Sequence, residues 1–248
     1  MHAIILAAGY ATRLYPLTLT SPKALLPIGN KPIIEFILDE MATLPNLSKV
    51  VIVSNHKFIS HFELWLTAIQ ERQQYPNLEL ILLDDGSINE TDRLGAIGDI
   101  EFAISRANLN EDLLVAAGDN FFTFPLSDYV SYFHMYRKDA ICAKHIADKS
   151  VLQQMGVAIV DSELRLLTME EKPSNPSSDI GVYALYIYTK DTLPLFHEYL
   201  TTGNNPDAPG NFPVWLVKRK EVRVYLFKGD CIDIGTPEVY AAVNAQYK

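Results

Sequence analysis

Residues 3 to 32, AIILAAGYATRLYPLTLTSPKALLPIGNKP, constrain the fold more than any other part of this chain. The apolar run Ala3 to Ala8 has the length of a short buried strand, and it breaks at Gly9 into the small-residue loop GYATRL. A strand that ends in such a loop lets backbone N–H groups come close to phosphate oxygens. Arg13 in the loop, and Lys23 in Ser21-Pro22-Lys23, can supply full positive charge to the same polyanion. Together they describe a seat for a nucleoside triphosphate. The spacing is neither GxxxxGK[ST] nor a helix-opening GxGxxG.

Bulk composition narrows the partners. In 248 residues, 48% hydrophobic and 21% charged, there is material for a sizeable core. A formal net charge of −9 argues against a nucleic-acid partner, which needs a basic face; a nucleotide needs only local convergence of cations. Cys142 and Cys231 show no metal-ligand or CxxC spacing and read as free thiols in a reducing compartment. No apolar run approaches a membrane span, and the first strand is too short for a signal-peptide core, so no membrane partner and a cytoplasmic location are expected. No sequence feature decides between a monomer and a homo-oligomer.

Strand and helix patterns alternate along the first half. Lys49 to Val53, Leu78 to Leu83 and Leu113 to Ala117 are apolar runs of strand length. Helical spacing lies between them over His61 to Arg72 and Leu94 to Ala107. Such β-α-β alternation predicts a doubly wound sheet with ligands beyond the carboxyl ends of its strands. Chemistry is therefore expected in the loops after 3–8, 78–83 and 113–117. The second half is richer in strands: 157–160, 164–168, 181–188 and 222–227 read as extended, with helical patterns at 191–200 and 212–220. Pro237 to Gln246 reads as a terminal helix with Thr236 as N-cap and Pro237 in its first turn.

The segment Leu6 to Pro32 resembles the signature of the sugar-1-phosphate nucleotidylyltransferases, LAAGxGTRLxPLT…PKxLLPI…KP. It reads LAAG at 6–9, TRL at 12–14, PLT at 16–18, PKALLPI at 22–28 and KP at 31–32. Ala11 stands where the family has its second glycine, so the loop is expected to close slightly differently over the nucleotide. The tripeptide Gly118-Asp119-Asn120, the segment Asp233-Ile-Gly-Thr-Pro237, the EKP at 171–173 and Gly156-Val157 also match family motifs. Cys231 and Ala184 replace a usual aromatic and a usual glycine, and the second change leaves the sugar open.

The resemblance implies a Rossmann-like, three-layer, doubly wound mixed α/β sheet in one nucleotidyltransferase domain over 1–248, with a nucleotide half to about 120 and a sugar-phosphate half beyond. It implies nucleotidyl transfer from an NTP to a sugar 1-phosphate, giving an NDP-sugar and pyrophosphate. Leu6, Ala8, Gly9, Ala11, Thr12, Arg13, Lys23, Gly95 and Asp119 would bind the nucleotide, with Arg13 and Lys23 catalytic. Gly156, Glu171, Lys172 and Val182 would bind the sugar phosphate, and Asp119 and Asp233 would hold Mg²⁺, a hard cation suited to carboxylate oxygens. Within the expected base-recognition stretch, 84–100, Asn89, Thr91 and Arg93 are all capable of hydrogen bonding to a base or ribose. The short chain leaves no room for a β-helical acyltransferase domain, which predicts a monofunctional protein. Two other readings stay open: a cytidylyltransferase acting on a phosphorylated alcohol such as phosphocholine, and a catalytically silent nucleotide-sugar-binding regulator.

Overall fold

A computed structural model describes residues 1–247. In chain order its elements are β1 (His2–Leu6), β2 (Pro27–Ile28), β3 (Lys31–Pro32), α1 (Ile33–Ala42), β4 (Lys49–Ser54), α2 (Ile59–Glu71) and β5 (Glu79–Asp84). Next come α3 (Ala96–Arg106), β6 (Leu113–Ala117), β7 (Asn120–Phe122), α4 (Leu126–Tyr136), β8 (Asp139–His145), α5 (Lys149–Leu152), β9 (Gly156–Val160) and β10 (Leu166–Glu171). The last are β11 (Ile180–Tyr188), α6 (Leu193–Thr201), α7 (Asn211–Leu216), β12 (Val222–Leu226), β13 (Cys231–Asp233) and α8 (Pro237–Gln246).

A nine-stranded mixed sheet runs β10-β9-β11-β6-β1-β4-β5, with β8 paired to β11 and β12 off that path. β1 is parallel to both β4 and β6, whereas β11 is antiparallel to β6, β8 and β9. Because side chains alternate across a strand, β1 sends Ala3 and Ile5 to one face and Ile4 to the other. β4 does the same with Val50 and Ile52 against Val51 and Val53. Helices α1, α2 and α4 cover the first face, and α3, α6 and α7 the second. Both faces being buried explains why these strands read as unbroken apolar runs. This is the three-layer doubly wound α/β sheet expected from the sequence.

The boundaries differ in instructive places. The expected strand 3–8 ends at Leu6; the Ala7 N–H makes one last bond, to the Val53 carbonyl at 2.9 Å, and Ala8 starts the loop. The strand expected at 164–168 runs on to Glu171, because Glu170 and Glu171 pair with Val157 and Gly156. The helix expected at 212–220 stops at Leu216. α1, α4 and β8 carry no reading of their own in the sequence, since each lies in apolar stretches adjoining stronger motifs. The terminal helix is as expected: the Thr236 hydroxyl accepts from the Val239 N–H, and Pro237 sits in the first turn.

Candidate active site

The carboxyl ends of β1 and β6 open onto a cleft of about 390 Å³. Its walls include Gly9 to Arg13, Lys23, Asp119, Lys172, Arg93 and Glu90. These residues come from the loops after β1, β5 and β6 and from the end of β10, which agrees with the placement of ligands beyond parallel strand ends.

The loop after β1 is held from behind. Asn55, fully buried just after β4, donates from Nδ2 to the Ala8 carbonyl at 2.9 Å and accepts from the Phe58 N–H at 3.0 Å. Thr18, also fully buried, donates to the Ala11 carbonyl at 2.8 Å, and the Tyr10 hydroxyl reaches Ser87 at 3.3 Å. Ala11, standing where the family has glycine, takes φ 49° and ψ 44°, in the left-handed region. An alanine reaches that conformation at a cost of about 1–2 kcal/mol, and the Thr18 bond helps hold it. Arg13 follows in a short 3-10 turn and lies exposed on the cleft wall. Neither Asn55 nor Thr18 was legible as a site residue, because nothing in the sequence marks either as buried.

Two carboxylates distant in sequence meet here. Asp119 leads into β7 and Asp233 ends β13, and the two strands form an antiparallel ribbon in which Asp233 pairs with Asn120. The Lys23 ammonium lies 2.5 Å from Asp119 Oδ2 and 3.1 Å from Asp233 Oδ1. One small cation therefore reaches both carboxylates. Gly118, just before Asp119, packs against the end of β1: its N–H donates to the Leu6 carbonyl at 2.8 Å, and a Cβ there would sit 2.9 Å from that oxygen. Among the described residues no group of three or more His, Cys, Asp or Glu side chains forms a metal cage. The pair fits a hard divalent cation that keeps water or phosphate oxygens in its remaining positions.

The other expected residues form a second cluster. Gly156 on β9 pairs with Glu171 of β10 on one side and Val182 of β11 on the other, so the three stand in a row across the sheet. The Glu171 carboxylate passes close over Gly156 and Gly210, where a Cβ at Gly210 would overlap Oε2. Burial raises its pKa, opposed by Lys172. Lys172 adopts φ 48°, turning the chain out of β10 and onto the cleft wall. Val182 keeps its side chain in the core. Ala184 falls in the stretch of β11 between Tyr183 and Tyr186 where the register with β8 shifts.

Two expected nucleotide residues do not line the cleft. The Ala8 side chain is buried, and only its carbonyl is engaged, by Asn55. Gly95 precedes α3 at φ 80°, and a Cβ there would lie 2.7 Å from the Pro206 carbonyl oxygen. The Ala96 and Ile97 N–H groups donate to Asp207 and Pro206, so the loop 203–210 caps α3. In the 84–100 stretch, Asn89 and Thr91 bond each other, whereas Arg93 reaches the cleft and pairs with Asp207 at 2.7 Å. Glu90, unremarked in the sequence, lines the cleft beside it. Behind them Asp99 is buried, with an unpartnered Oδ1. Burial and the adjacent Asp85 carboxyl push its pKa up to about 8 against the pull of Arg93.

Known proteins share this framework. The nucleotidyl transferase family profile matches residues 2–248. A Sulfolobus acidocaldarius protein, provisionally named a mannose-1-phosphate guanyltransferase, is 31% identical over 99% of this chain and 63% of its own length. A glucose-1-phosphate thymidylyltransferase of Streptomyces antibioticus is 30% identical over 80% of this chain and 51% of its own. The chain thus spans about half to two thirds of the length of these relatives. A solved apo structure of a UDP-glucose pyrophosphorylase superposes with a TM-score of 0.82 at 23% identity, covering 99% of this chain and 97% of that one. This chain belongs to the nucleotidyl transferase family.

Proposed function

We propose that the protein transfers a nucleotidyl group from an NTP to a sugar 1-phosphate and releases pyrophosphate. One observation carries the reading: Arg13, Lys23, Asp119 and Lys172, from well-separated parts of the chain, border one cleft. A phosphate oxygen of the sugar 1-phosphate attacks the α-phosphorus in line, and the bond from that phosphorus to the β-phosphate bridging oxygen breaks. The attacking oxygen is already anionic near neutral pH, so no general base is required. Catalysis then rests on positioning and on neutralising charge as it develops.

The loop from Gly9 to Arg13 presents backbone N–H groups to the triphosphate, and Arg13 meets the charge that builds on the leaving pyrophosphate. Lys172 holds the sugar phosphate, while the Glu171 carboxylate accepts from sugar hydroxyls. Asp119 and Asp233 would hold Mg²⁺, which would supply positive charge to neutralise the phosphates. The test is pyrophosphate release across UTP, dTTP, GTP, CTP and ATP, each with a panel of sugar 1-phosphates and with phosphocholine. Turnover with one NTP and a sugar 1-phosphate supports the reading. Release only with phosphocholine, or none with any pair, overturns it.

A further inference from the structure

We infer that Lys23 serves as the resident counter-ion of the divalent-cation site, and that a nucleoside triphosphate must draw it off before the metal can seat. The inference rests on the proposed assignment of Asp119 and Asp233 as metal ligands. The Lys23 side chain is only 10% exposed, and its ammonium reaches both carboxylates at once, at 2.5 and 3.1 Å. A lysine has three N–H donors, and two are spent on these oxygens. The ammonium therefore occupies the ground between the carboxylates that a small divalent cation needs.

Charge explains why a cation sits there. Two carboxylates that converge on one point repel each other, and an ammonium between them relieves that repulsion, most at Asp119, the less exposed of the two. Lys23 leaves the trio at a net −1, whereas a divalent cation brings the pair to zero and releases Lys23 for phosphate. The chain geometry permits that exchange. Lys23 opens a three-residue 3-10 turn behind Pro22, and the flexible four-carbon stem can swing while the backbone stays fixed. The cleft that receives it is lined by Arg13 and the loop after β1, where phosphate oxygens supply a competing anionic partner. The outcome is an order of events: the triphosphate arrives, the ammonium transfers to it, and the metal takes the carboxylates.

The exchange is measurable without turnover, through Mn²⁺ binding to the nucleotide-free protein by electron paramagnetic resonance and calorimetry. Wild type should bind Mn²⁺ weakly. Lys23→Met, and to a smaller degree Lys23→Gln, should bind it more tightly, by a factor in the range of about 5 to 150 typical of coupled sites. Mn²⁺ should also raise the melting temperature of Lys23→Met more than that of wild type. Equal or weaker Mn²⁺ affinity in both folded lysine variants overturns the exchange. Adding Asp119→Asn and Asp233→Asn to Lys23→Met separates the two readings. Undiminished Mn²⁺ binding in that triple variant refutes the metal-site assignment itself, whereas lost binding there, with Lys23→Met no tighter than wild type, refutes only the role of Lys23.

Discussion

Asn55 and Ala8, 47 residues apart, are joined by a 2.9 Å hydrogen bond that fixes where the loop after β1 leaves the sheet. Asn55→Ala leaves the Ala8 carbonyl and the Phe58 N–H without their partner in a dry interior. Each orphaned group costs about 1–3 kcal/mol. Urea unfolding should show a loss in that range or above, together with weaker NTP binding. A loss below about 0.5 kcal/mol, the scatter of ordinary surface changes, would remove Asn55 from the support of the loop.

Arg13 faces the cleft from a turn that does little else, so its loss should appear in kcat rather than in folding. Arg13→Ala should lower kcat about 100- to 1,000-fold with a small change in KM for the NTP. Lys172→Ala should act differently, raising KM for the sugar 1-phosphate, because a phosphate dianion is contacted in ground and transition states alike. Steady-state kinetics on both folded variants separate the roles. A near-normal kcat for Arg13→Ala would end its assignment.

Gly210 leaves the room that Glu171 occupies. Gly210→Ala should push the carboxylate aside, raising KM for the sugar 1-phosphate while NTP affinity by calorimetry stays constant. Glu171→Gln, which keeps the shape and weakens acceptance, should reproduce the KM effect and blur discrimination between epimers. Equal losses in NTP affinity would assign this cluster to the nucleotide instead.

Ala11 holds a left-handed backbone that a side chain resists. Ala11→Val should destabilise the protein by more than 1 kcal/mol, since a branched side chain suits that region least, roughly doubling the strain alanine carries. Ala11→Gly should be neutral or gain up to about 1 kcal/mol, the relief being offset by the entropy of an unfolded glycine. Thermal melting of both variants decides; a strongly destabilised glycine variant would contradict the strain.

Asp99 sets a pH dependence. Its folded pKa, about 8, lies above the ordinary carboxyl value of 3.8 because of burial and of the facing Asp85, itself raised by burial. Between those two values the folded state holds a proton that the unfolded state has released, so this contribution to stability falls as pH rises through about 4 to 8. The slope is on the order of 1 kcal/mol per pH unit at its steepest. Asp99→Asn keeps a donor toward Asp85 without a titratable proton, so its urea stability should be flatter from pH 5 to 8 and higher than wild type at pH 8. Parallel pH profiles for the two proteins would show that Asp99 does not titrate this way.

Residues 3–32 alone determined the strand, the loop and the two cations, because those features are local: a short apolar run, a run of small residues, and proline-set turns. The alternation of apolar runs likewise determined a sheet buried on both faces. Tertiary structure decided what meets what. The β7–β13 ribbon sets Asp233 beside Asp119, and pairing on both sides of Gly156 brings Glu171 and Val182 into one row. Arg93 rather than Asn89 or Thr91 reaches the cleft because the 203–210 loop caps α3 and offers it Asp207. Asn55 looks ordinary in sequence and acquires its role only where β4 runs parallel to β1 and its side chain meets the departing loop. Strand pairing and burial join residues dozens of positions apart, and no local pattern of residue types carries that distance.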